Sequence, residues 1–170
     1  MKKLFNQIAS GFLFIVLLTS FSWAQESPPA SAENTINGVS VKIEYHSPKV
    51  KGRIIWGGLQ QYDKVWRTGA DNATTIEVSE NVKFDDHKIP KGKYALFTIP
   101  EKGDTWTVII NKVWDQWGAF NYDEKQDLVR FEVKVDRTLE LHESLLFDIK
   151  DDGTVVFAWE YKTFSFKIKK

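Results

Sequence analysis

The sequence predicts an all-β protein, an antiparallel two-sheet sandwich (jelly-roll-like or barrel-like) of about nine or ten strands with one or two short helical turns. Three observations carry this. Apolar residues recur with period two over most of the chain from Val39 onward, as in half-buried strands. Turn signals punctuate these runs at Pro90-Lys91-Gly92, Glu101-Lys102-Gly103-Asp104 and Asp152-Gly153. No segment longer than about two turns has helical periodicity.

In chain order, Lys2 and Lys3 precede an apolar run from Ile8 to Leu18 that closes on Ser22-Trp23-Ala24, small residues where a signal peptidase reads. Residues 1–24 are therefore expected to be a secretory signal peptide cleaved after Ala24, with a periplasmic or secreted product. The run is shorter than the about 20 apolar residues of a membrane span, and no later stretch approaches that length. The chain has no Cys, which removes disulfides, a thiolate nucleophile and a lipid-bearing mature N-terminal cysteine. Residues 25–36 are rich in Ser, Pro, Ala and Glu and hold too little apolar surface to offset ordering entropy, so a disordered spacer is expected. Residues 37–170 then form a single domain.

Within that domain Val39, Val41, Ile43 and Tyr45 alternate with Ser40, Lys42, Glu44 and His46. The same alternation runs through Thr74–Val78, Val82–Phe84, Trp106–Ile110, Val129–Val135, Val155–Tyr161 and Phe164–Ile168. Tyr94–Ile99 is apolar on both faces, which places it centrally, covered on both sides. The helical candidates are Leu59–Trp66 and Asp123–Leu128, the latter after a cap at Asn121.

Composition excludes more than it selects. Loss of a leader carrying Lys2 and Lys3 and no acid takes the 23 basic against 23 acidic side chains to a net charge of −2, with no basic face for nucleic acid. There is no Gly-x-Ser-x-Gly elbow, no phosphate-binding Gly-Lys loop and no His-Glu-x-x-His. His46, His87 and His142 lack ligand spacing, and the run from Asp148 has Lys150 and Trp159 where a calcium loop needs ligands. No catalytic residue, metal or cofactor is assigned.

Two constellations remain. The first, in Arg53–Ala73, holds Arg53, Tyr62, Trp66, Arg67, Thr68, Asp71 and Asn72 among several glycines. An Arg beside a Trp in such a loop presents its guanidinium fork to a carboxylate, phosphate or sugar hydroxyl; alternatively Arg67 pairs with Asp63, Asp71 or a strand acid and locks the loop to the sheet. The second, Asn111–Tyr122, interleaves Trp114, Trp117, Phe120 and Tyr122 with Asn111, Asp115, Gln116 and Asn121. Aromatic faces beside amides suit a sugar ring, and equally suit a satellite core.

At these residues the chain becomes familiar. Ser47-Pro48, Gly52-Arg53, Gly57-Gly58-Leu59, Val65-Trp66-Arg67-Thr68-Gly69-Ala70, Pro90-Lys91-Gly92-Lys93-Tyr94, Leu96–Pro100 and Trp117-Gly118-Ala119-Phe120 resemble the bacterial family called domain of unknown function 2911. The likeness runs from about Val39 to the end and implies an exported all-β protein, with no activity attached. Where relatives carry Asn-Glu after the Gly-Ala, this chain has Asp71-Asn72, so any role of that Glu is absent here.

Three functions are open at this point. The first is a non-catalytic binding module for a glycan or other small polar ligand, which requires the two constellations to be adjacent and exposed. The second is an envelope structural or protein-interaction domain, with both clusters packed. The third is a hydrolase or lyase with paired carboxylates drawn from Asp63, Asp71, Asp115 and Asp123, about 5 to 9.5 Å apart in a cleft.

Overall fold

The computed structural model describes residues 27–170; the expected signal peptide, its cleavage after Ala24 and the start of the spacer lie outside the described residues. Strands β1 (Pro29–Ile36) and β2 (Val39–His46) form a hairpin around Asn37-Gly38. Both turn residues have positive φ, 50° and 80°, the twist that a two-residue hairpin turn needs. There follow β3 (Thr75–Val78), β4 (Val82–Phe84), β5 (His87–Ile89), β6 (Gly92–Ile99), β7 (Thr105–Asn111), β8 (Asp127–Ile149) and β9 (Thr154–Lys169).

All pairings are antiparallel, and the strands form one sheet of nine in the order β1-β2-β3-β6-β7-β8-β9-β4-β5. The all-β antiparallel class is as expected, whereas the two sheets of a sandwich are replaced by a single ladder. Period two reports that one face of a strand is covered; it is silent on whether the covering layer belongs to another sheet or to the same one, coiled.

Here the sheet coils. At about 3.3 Å per residue a straight β8 would reach about 75 Å, roughly twice the width of a compact domain of this size. It bends instead at register shifts between Arg137 and His142 and between His142 and Leu146. Its far end returns to the first hairpin: Val50 N donates to Glu143 O at 2.8 Å, Leu145 N to Pro48 O at 2.9 Å and Phe147 N to Tyr45 Oη at 3.1 Å. One isolated bridge, Lys49 to Ser144, marks this seam, so the sheet is curled without closing as a barrel.

Pro29–Ile36 corrects the spacer reading of residues 25–36. All eight residues pair with β2, Ile36 is buried, and Ala30 and Ala32 pack on the core. Composition counts only apolar side chains, but an edge strand also gains a ladder of backbone hydrogen bonds along the side that faces its neighbour. The helical expectations reduce to one 3-10 turn, Glu124–Gln126, capped by Asp123, whose side chain accepts from Lys125 N at 3.0 Å. Leu59–Trp66 is a series of turns, because Trp66 is drawn into a backbone pair with Thr98, N to O at 2.7 Å and back at 2.9 Å.

The concave face holds the core. Trp66 stacks on Trp159 with ring centroids 5.6 Å apart, and Trp56 meets Trp66, Trp106 and Trp159 edge-on at 5.8, 4.6 and 5.6 Å. The Arg53–Ala73 segment thus delivers Trp56 and Trp66 as a plug into the curl, and buried aromatic area of this size dominates core energetics. On the convex face Ala73, Ala95, Phe97 and Ile109 form a second, smaller cluster under Ala119 and Tyr122. Tyr94–Phe97 is consequently buried on both sides, as its composition predicts.

Candidate functional site

The run Val65–Ala70 is folded by its own polar groups. Thr68 is fully buried with φ of 54°, a left-handed conformation that a β-branched residue rarely takes. It is held there by its Oγ1, 3.1 Å from Thr98 Oγ1 and 3.2 Å from Trp66 O, and by Thr74 Oγ1 donating to its carbonyl at 3.0 Å. Trp66 Nε1 donates to Gly69 O at 3.1 Å. At Gly69 a Cβ would lie 2.9 Å from Thr74 Oγ1 and 3.1 Å from His46 O, so glycine is required by space. This turn sends Trp66 inward and Arg67 outward.

Segment 111–122 is anchored at both ends. Buried Asn111 donates to Asp123 O at 3.0 Å and Asp127 Oδ1 at 2.8 Å, while its Oδ1 accepts from Val113 N at 2.9 Å. Tyr122 packs edge-on to Phe97 at 5.3 Å, and its hydroxyl donates to Asp127 Oδ2 at 2.6 Å; Arg130 also donates to that carboxylate. Burial first, and then the Asp127 carboxylate, push the Tyr122 phenol above its ordinary pKa. Between these anchors Trp114, Trp117 and Phe120 remain exposed, Trp117 at 58%.

The two segments meet. Asn72 and Trp117 form an antiparallel bridge, Ala73 N donates to Gln116 O at 3.0 Å, and Gly118 N to Asp71 O at 2.9 Å. At the junction with β1 and β2 lies a cleft of about 400 Å³ whose polar wall includes Glu44, His46, Asn72, Lys93, Asp115 and Gln116. Lys93 braces it: its Nζ is 2.7 Å from Glu44 Oε2 and 4.7 Å from the centroid of the Trp114 ring. Hydrogen bonds from Lys42, then Lys93, lower the Glu44 pKa to about 2. Gln116 is only 7% exposed; its Nε2 donates to Val113 O at 2.6 Å, which fixes the amide, and its Oε1 is buried with no partner among the described residues.

The expected site residues are distributed as follows. Asn72 and Trp114 line this cleft, with Trp117 and Asp71 joined to it through the backbone. Arg67 lies under the Trp117–Phe120 turn, where a Cβ on Gly118 would be 3.6 Å from its Nη1. Its Nε is buried without a partner, no carboxylate among the described residues lies within ion-pair distance, and desolvation lowers its pKa against the opposing field of Asp71. Trp66, Thr68 and Asn111 are buried, and Tyr122 is tied to Asp127. Arg53 and Tyr62 line a different cleft.

Glu44, His46 and Lys93 escaped the sequence reading as site residues: they sit on ordinary strands or a strand end, where their outward position looks like solvated surface, whereas Gln116 belonged to the second constellation. No group of three or more His, Asp or Glu among the described residues is placed to hold a metal.

The fold and cleft define a small antiparallel β-sheet domain with a preformed polar groove, and no helix among the described residues is long and apolar enough to cross a membrane. Residues 27–168 match the family described as Protein of unknown function (DUF2911), and the chain belongs to that family. No curated protein and no solved structure matches it.

Proposed function

We propose that this protein is a non-catalytic binding module for a glycan or similar neutral polar ligand, exported to the periplasm or the medium. The observation that carries the reading is the Gln116 carbonyl oxygen: oriented by the bond from its own amide to Val113, buried, and without a partner among the described residues. A buried acceptor without a donor costs about 1–3 kcal/mol, which a ligand hydroxyl recovers on binding. Trp114, braced by Lys93, and the exposed Trp117 supply faces for the C–H side of a sugar ring. Two carboxylates, Glu44 and Asp115, share the cleft, but Glu44 is held ionised by its lysines and has no proton to give a leaving group near neutral pH. Export rests on the charged, apolar and small-residue pattern of positions 1–24.

The test is a thermal-shift screen of the protein against neutral oligosaccharides and peptidoglycan fragments. A ligand at 100 times its Kd adds about 2.7 kcal/mol, a rise of roughly 5–10 °C. The shift should vanish in Gln116→Ala; a shift that survives this change places the ligand elsewhere. A second reading, a protein-docking loop, is favoured by the exposure of Val113, Trp114, Trp117 and Phe120 together. It predicts a flat screen and a partner lost in Trp117→Ala.

A further inference from the structure

Strand β9 changes phase in its middle. Val155, Phe157 and Trp159 are buried at odd positions, whereas Phe164, Phe166 and Ile168 are buried at even ones. The shift is absorbed at Glu160, whose φ of 57° is left-handed and whose carboxylate accepts from Tyr161 N at 2.7 Å and Trp56 Nε1 at 3.0 Å. β8 loops out opposite it, and the ladder resumes with Arg137 directly across from Lys162. Directly opposed residues share a face of the sheet with Cβ atoms about 4.5–5.5 Å apart, and like charges there are destabilising. After the phase change Lys162 falls in step with Phe164, and its Nζ is 5.7 Å from the ring centroid of fully buried Trp106. Arg137 lies over the Tyr161 ring, Cζ to centroid 5.5 Å.

These residues line a second cleft, of about 460 Å³, which shares no residue with the first. Arg53 is a third cation on its wall, its guanidinium donating, among the described residues, to the carbonyls of Val50 and Lys49. Glu160 is the one carboxylate in the lining, and it is committed to Trp56 and its own neighbour's amide. Neither Arg137 nor Lys162 has an ion-pair partner among the described residues. A like-charge pair is thus set cross-strand, beside aromatic walls, with neither cation ion-paired among the described residues and with Glu160 turned to the Trp56 and Tyr161 N–H groups.

We infer that this cleft is an anion site: it takes a small molecule through a carboxylate or phosphate group seated between Arg137 and Lys162, with Arg53 at the rim. An oxyanion there converts the repulsion of the pair into two charge-assisted hydrogen bonds.

The experiment is calorimetric titration of the full protein with inorganic phosphate and with glucuronate, at constant ionic strength to remove general screening, with glucose as the neutral control. Saturable binding of an anion and none of glucose is expected; phosphate alone points to a phosphate ester, glucuronate alone to a carboxylate. Arg137→Met and Lys162→Met should each weaken the anion about tenfold or more, while raising the melting temperature of the unliganded protein because the opposed charge is gone. Gln116→Ala should leave anion binding intact, so this site and the first cleft fail separately. Absence of saturable binding of either anion, or binding unchanged in both Met variants, would overturn the inference.

Discussion

Asn72 and Trp117 pair as two strands would, in a bridge belonging to no named strand, and this pairing joins the two segments that carry the candidate site. Each segment is separately anchored, the first by Trp66 in the core and the second by Asn111 and Tyr122. The cleft between them is therefore bounded by fixed backbone, the preorganisation that lowers the entropy cost of binding.

Arg67 is the sharpest test of that wall. Its guanidinium is partly desolvated with no ion-pair partner among the described residues, so the charge itself is a cost. Arg67→Met should leave the urea midpoint unchanged or raise it. A loss of about 3–5 kcal/mol would instead reveal a buried ion pair.

Acid should loosen the cleft through Glu44. Its carboxyl falls from 4.5 to about 2 in the folded chain, because of Lys42 first and Lys93 second. A depressed carboxyl contributes stability at pH above its unfolded value, and that contribution drains away as pH falls from 4.5 towards 2. Urea midpoints measured across this window should decline less steeply in Glu44→Gln than in the parent; identical slopes would remove Glu44 as a source.

Two glycines separate backbone strain from crowding. Gly38 and Gly153 have nearly equal φ, 80° and 86°, yet a Cβ meets nothing within 4 Å at Gly38 and would lie 2.4 Å from Ile168 O at Gly153. Gly38→Ala should cost about 1–2 kcal/mol, the left-handed penalty alone. Gly153→Ala should cost distinctly more by chemical denaturation, since β8, β9 and the Ile36 side chain converge there. Equal losses would show that the β8–β9 turn yields to the added methyl.

Local chemistry was legible where it is local. Tyr94–Phe97 read as doubly buried because a strand carries both of its faces in its own residues. Asp152-Gly153 read as a hairpin turn and joins β8 to β9, whereas the hairpin at Asn37-Gly38 went unread because the polar composition of Pro29–Ile36 concealed the strand before it. The adjacency of Asn72 with Trp117, and the exclusion of Arg53 and Tyr62 from their cleft, were not legible: Arg53, Tyr62 and Asn72 belong to a loop whose course follows from where Trp56 and Trp66 find burial, and Trp117 to one tied down by Asn111 and Tyr122.

The sequence by itself determined an antiparallel β-protein with its turns in place, because side-chain period and turn chemistry act over a few residues, and it carries the family's motifs. Only the tertiary structure decided that the strands form one coiled sheet and not two, that the Gln116 carbonyl is buried without a partner among the described residues, and that Arg137 and Lys162 oppose each other. The physical reason is register. A single left-handed residue at Glu160 and the bulges of β8 shift which residues meet across the ladder, and those contacts depend on the whole sheet.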